Sequence, residues 1–147
     1  MTRVLVAMDG SDDAVRAGAK ARELFGDDAE YLAMSVVASP APTMVGVMGF
    51  GTVYPYPAML TPGLVEEAEH EAAEIAEQGA EAAGLEHAEV IADYGDPADL
   101  IEAAAKEHHC DVIVVAGSHR GWFSRLVVGS VSSDLVRNCD IPVLVVH

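Results

Sequence analysis

Three five-residue apolar runs constrain this chain more than any other feature. Residues 4–8 read Val-Leu-Val-Ala-Met, residues 112–116 Val-Ile-Val-Val-Ala, and residues 142–146 Pro-Val-Leu-Val-Val. Each is too short for a core helix and rich in β-branched residues. None alternates with polar positions, so each reads as a strand buried on both faces. A strand covered above and below needs helices on both sides, and the intervening sequence supplies them.

Ser11, followed by Asp12 and Asp13, is a helix start: a hydroxyl cap with two acids in the first turn. Ala14, Ala17, Gly18, Ala21, Leu24 and Phe25 recur at helical spacing, with Gly26 as a stop. Residues 31–37 read as a second strand. Residues 65–83 read as a long acidic helix with Ala68, Ala72, Ile75, Gly79 and Ala82 on its inner face, closed by Gly84. Residues 88–92 predict a third strand. Asp96-Pro97 is a cap with proline at the first helical position, and Leu100, Ile101, Ala104 and Ala105 line that helix. A last helix covers residues 131–138. Five strands alternating with four helices predict one α/β domain over residues 1–147, an open parallel sheet with helices on both faces. Residues 39–63 form a connection longer than usual, either a lid or partner surface or a surface excursion.

Charge narrows the partners. The chain has 24 acidic residues against 8 basic ones, a formal net charge of −16. That excludes general nucleic-acid binding, which needs Lys and Arg on phosphates, and disfavours anionic membranes. Lys20 and Lys106 are its lysines. Abundant carboxylates with scarce lysine resemble proteins of salt-saturated cytoplasm, and predict a halophilic source; the alternative is an ordinary acidic protein. Residues 31–65 carry no charge, yet Pro40, Pro42, Pro55, Pro57 and Pro62 interrupt them, so no membrane span is expected. Met1 leads straight into a strand without signal-peptide order, which predicts a cytoplasmic protein. Cys110 and Cys139 are too few for a disulfide framework, and His108-His109-Cys110 is read as structural, with no metal centre expected.

In open α/β sheets ligands bind beyond the carboxyl ends of the strands, where strand order reverses. Asp9-Gly10-Ser11 closes the first strand. Gly117-Ser118-His119-Arg120-Gly121 closes the fourth, and Gly129-Ser130-Val131-Ser132-Ser133 opens the last helix. Glycines let a ligand approach the backbone, and free amides at a helix start favour an anion. Residues 112–133 contain no acid, although they hold His119, Arg120 and Arg125. An arginine-bearing gap in so acidic a chain is where phosphate is tolerated; otherwise Trp122, Phe123 and Leu126 simply pack inward. Asp9 would meet a sugar hydroxyl or a metal, or cap the following helix. No Gly-Lys-Ser/Thr phosphate loop, dinucleotide fingerprint, Cys-x-x-Cys or Gly-x-Ser-x-Gly occurs. A phospho-acceptor receiver would use Asp9 or Asp93, but the lysine it needs after its last strand is missing.

These segments together resemble the universal stress protein family over essentially the whole length. The matching pieces are residues 4–11, Gly95-Asp96-Pro97, residues 111–119, Gly129-Ser130-Val131-Ser132 and residues 141–146. The resemblance implies a Rossmann-like fold of the adenine nucleotide alpha hydrolase type, with sheet order 3-2-1-4-5. It implies dimers through the last strand, at Pro142, Val143, Leu144, Val145 and Val146; an exposed apolar edge strand gives the same expectation. Many members bind ATP through Gly-x-x-Gly, nine residues, then Gly-Ser or Gly-Thr. By resemblance the nucleotide set is Ala7, Met8, Asp9, Val36, Gly117, Ser118, His119, Arg120, Gly121, Gly129, Ser130, Val131 and Ser132. The ligand is ATP or AMP, with Mg²⁺ on its phosphates. Two departures stand out: Arg120 occupies the second glycine position, and the spacing from Gly117 to Gly129 is one residue short. Trp122-Phe123 resembles a branch that does not bind ATP, yet Gly129-Ser130 is retained. Arg120 either contacts phosphate or fills the pocket. The expected function is a nucleotide-responsive stress module without a catalytic residue. The alternatives are a nucleotide-free interaction protein of the same fold and a slow ATPase with His119 as its base.

Overall fold

A computed structural model describes residues 1–38, 62–117 and 131–147. The chain runs β1 (Arg3–Ala7), α1 (Asp12–Phe25), β2 (Glu30–Ala38), α2 (Pro62–Ala82), β3 (Glu89–Gly95), α3 (Pro97–Glu107), β4 (Val112–Ala116), α4 (Val131–Asn138) and β5 (Val143–Val146). The strands form one sheet in the order β3-β2-β1-β4-β5. Every pairing is parallel: Leu5 sits opposite Leu32 and Ile113, and Val114 opposite Leu144. Strand order therefore reverses between β1 and β4.

Period-two alternation builds two cores on this sheet. Val4, Val6, Met8, Ala33, Val112 and Val114 face α1 and α2, against Ala14, Ala17, Ala21, Ala76 and Ala80. Leu5, Ala7, Leu32, Met34, Val36, Ile113 and Val115 face α3 and α4, against Ile101, Ala104, Ala105 and Leu135. Burying each of the larger side chains contributes roughly 1.5–3 kcal/mol. The first core is largely alanine on its helical side, which brings α1 and α2 close to the strands. Met8 fills the space between them: a Cβ on Gly79 of α2 would stand 2.9 Å from its Sδ, and one on Gly18 of α1 would stand 3.0 Å from its Cε.

Three sequence expectations change. The third strand runs to Gly95 rather than residue 92, because Asp93, Tyr94 and Gly95 stay paired with Val36, Val37 and Ala38 of β2. As an edge strand it has one unpartnered side, where polar residues cost little. Helix α2 starts at Pro62 and buries Ala72, Ala76, Gly79 and Ala80, whereas Ala82 faces solvent. In so alanine-rich a helix neighbouring stripes are nearly equivalent, and the niche Gly79 provides for Met8 selects between them. Leu24 of α1 is likewise exposed, and Phe25 only partly buried. Residues 39–61 lie outside the described residues.

Arg3 fastens the amino end of β1, the central strand of the sheet. Its guanidinium donates to the carbonyl of His108 at 2.8 Å and to the carboxylate of Glu30, and its backbone N–H to Asp111 at 2.8 Å. His108, His109 and Cys110 close α3: Cys110 donates its N–H to Ala105 O, and His109 takes a φ of 53°. Among the described residues no group of three His, Cys, Asp or Glu could hold a metal ion.

Candidate functional site

The carboxyl end of β1 turns sharply into α1. Gly10 takes a φ of 80°, a conformation side chains rarely adopt. Ser11 caps the helix by accepting the Ala14 N–H at 3.1 Å. Asp9 Oδ1 accepts both the Ser11 N–H, at 2.9 Å, and the Ser11 hydroxyl. Asp9 thus orients the cap from one carboxylate oxygen, and its expected capping role is exercised through Ser11. Asp12 and Asp13 occupy the first turn of α1 and already meet its dipole. The start of α4, Val131-Ser132-Ser133, carries no acid before Asp134. Both α1 and α4 thus carry acid in their first turns, Asp12 and Asp13 in α1 and Asp134 in α4.

At the end of β4, Gly117 donates its N–H to Val146 O at 2.7 Å, extending the β4–β5 ladder. Its α-carbon lies beneath the imidazole of His147. A Cβ there would stand 2.4 Å from His147 Nδ1, 2.5 Å from Cε1 and 2.9 Å from Val145 Cγ1. Extending the β1–β4 register, in which Val6 faces Val114, carries Asp9 toward Gly117. The Asp9–Ser11 turn and Gly117 therefore leave neighbouring strands at the carboxyl end of the sheet.

The remaining expected residues divide into groups. Ala7, Met8 and Val36 are buried in the two cores, so a ligand would reach their backbone rather than their side chains. The Met8 N–H itself donates to Met34 O at 2.7 Å. Val131 and Ser132 are buried in the first turn of α4. Ser118, His119, Arg120, Gly121, Gly129 and Ser130 lie outside the described residues, as do Trp122, Phe123 and Arg125. His147, whose ring borders Gly117, was not among the residues the sequence singled out.

A cavity of about 370 Å³ borders the β1 turn, lined by Met8, Gly10, Ser11, Ala14, Val15, Ile75, Gln78 and Gly79. A larger one, about 560 Å³, lies at the opposite edge, among Arg22, Asp27, Glu30, Tyr31, Glu86, His87 and Glu89. Size favours the second, but chemistry does not. Its Arg22 is engaged by Asp27 at 2.6 Å, which raises the guanidinium pKa, and its carboxylates repel an anion. The switch point is the better site.

The fold is an open parallel α/β sheet with helices on both faces, and comparison with known proteins identifies the family. Residues 1–147 match the profile of the universal stress protein family. A universal stress protein of Methanocaldococcus jannaschii is 31% identical over 147 residues, covering 98% of this chain and 81% of the relative. The chain belongs to the universal stress protein family. Two solved structures share the fold. A universal stress protein in complex with cAMP has 23% identity and a TM-score of 0.64, over 99% of this chain and 96% of that one. A family protein from Arabidopsis thaliana with AMP bound has 21% identity and a TM-score of 0.58, over 99% and 91%.

Proposed function

We propose that this chain binds an adenine nucleotide, AMP or ATP, across the carboxyl ends of β1 and β4, and acts as a stress-response binding module. The observation that carries the reading is that the Asp9–Ser11 turn and Gly117 leave adjacent strands where strand order reverses. The relatives solved with cAMP and with AMP support it. In this reading the second carboxylate oxygen of Asp9 accepts a ribose hydroxyl, its first being held by Ser11. Mg²⁺, where it binds, would arrive coordinated by the phosphates of the nucleotide.

The module acts through assembly rather than turnover. β5 is an edge strand whose Val143, Leu144, Val145 and Val146 are all half-buried, and a second copy pairing along it would cover them. No helix among the described residues is long and apolar enough to cross a membrane. We place the protein in the cytoplasm, and read its charge of −16 as adaptation to a saline one.

Thermal unfolding in concentrated KCl, with AMP, ATP or cAMP and with or without Mg²⁺, tests the nucleotide reading. A ligand at 100 times its Kd stabilises the native state by about 2.7 kcal/mol. Unchanged unfolding at millimolar nucleotide would sink it. That outcome would favour a nucleotide-free interaction protein, the reading that Arg120 in the second glycine position supports.

A further inference from the structure

The room beside Gly117 is occupied by a side chain from the neighbouring strand. β5 alternates: Leu144 and Val146 meet the α1/α2 core, whereas Val143 and Val145 meet the α3/α4 core. The next residue returns to the α3/α4 face, and there the His147 ring lies against the Gly117 α-carbon. The bond from Gly117 N–H to Val146 O holds this end of β5 in register, so the ring is placed by the ladder itself. Helix α4 begins on the same face, with Val131 buried in the same core. His147 is exposed and open to a ligand from solvent.

We propose that His147 is a ligand-binding residue of the nucleotide site, donating an imidazole N–H to a phosphate oxygen. This rests on the nucleotide reading above. An imidazole carries at least one N–H donor in either protonation state, and a bond to an anionic oxygen is stronger than one between neutral partners. His147 would supply a donor from β5 where β4 offers a bare glycine. Because β5 is also the exposed edge of the sheet, the same short strand would hold a ligand contact and the pairing surface.

Calorimetric titration of wild type, His147→Ala and His147→Gln with AMP and with adenosine tests this. Adenosine shares the base and ribose but has no phosphate. Loss of a bond to a charged group weakens binding by about tenfold or more. His147→Ala is expected to lose that much AMP affinity while adenosine affinity stays unchanged. His147→Gln, which keeps an N–H donor, should recover most of the loss. Equal weakening toward both ligands, or none toward AMP, means the ring only covers Gly117; the proposal then fails and the nucleotide reading stands. If wild type binds neither ligand, both fail together.

Discussion

The imidazole of His147 lies against the α-carbon of Gly117, so closely that a Cβ on residue 117 would stand 2.4 Å from Nδ1. This glycine is therefore required by its own protein neighbours, whatever ligand it also meets. Val145 Cγ1, 2.9 Å from the same point, is the stiffer obstacle, since a branched side chain on a paired strand cannot swing aside as an exposed ring can.

Gly117→Ala is expected to destabilise the protein by roughly 1–3 kcal/mol, as overpacking does. Adding His147→Ala should recover only part of it, because Val145 remains. Urea denaturation of the single and double variants checks this; full recovery would assign the whole clash to the ring.

Met8 is fully buried and fills the niche between Gly18 and Gly79. Met8→Ala should cost about 2–5 kcal/mol by leaving a cavity between α1, α2 and the sheet. A loss under 1 kcal/mol would show that the two helices close over the gap.

Helix α2 bears Glu66, Glu67, Glu69, Glu71, Glu74, Glu77 and Glu81, without an acid in its first turn or a base in its last. Glu81 stands in its last turn, against the helix dipole, and Glu66/Glu69, Glu67/Glu71, Glu71/Glu74, Glu74/Glu77 and Glu77/Glu81 are like-charge neighbours. Stability should rise with KCl as the screening length falls from about 30 Å at 0.01 M to about 3 Å at 1 M. Glu77→Lys should stabilise by about 0.5 kcal/mol at low salt, and negligibly at high salt. Melting temperatures flat across this range would contradict the repulsion.

Burial pushes the Cys110 thiol above its ordinary range, with Arg3 opposing weakly. A thiol raised in the folded state adds stability below its unfolded pKa and loses it as pH rises through the folded value. Unfolding midpoints should therefore fall on the alkaline side, above about pH 9. Replacing Cys110 with Ala should flatten that alkaline limb. Native-state alkylation should also label Cys139, which is partly exposed, before Cys110.

Much of the fold was legible because local rules and tertiary demands agree. The runs at β1, β4 and β5 are apolar on both faces, which only a covered sheet satisfies. Ser11 and Asp96 cap the helices they were expected to cap. Where local signals were degenerate, prediction slipped: the many alanines of α2 do not say which stripe faces inward, and β3 gives no apolar cue at Asp93. The turns at Asp9 and Gly117 could be picked out because glycine and serine directly after an apolar run mark where a strand ends.

What the sequence by itself determined was the alternating α/β layout, the capped starts of α1 and α3, and the positions where β1 and β4 end. Those follow from short-range chemistry: periodicity, capping and charge. What only the tertiary structure decided was which groups meet there. Asp9 turned out to orient Ser11, Met8 to fill the space left by Gly79, and His147 to cover Gly117 from 30 residues away in sequence. Such contacts depend on strand order and register, which bring distant residues side by side, and no local pattern of residues encodes them.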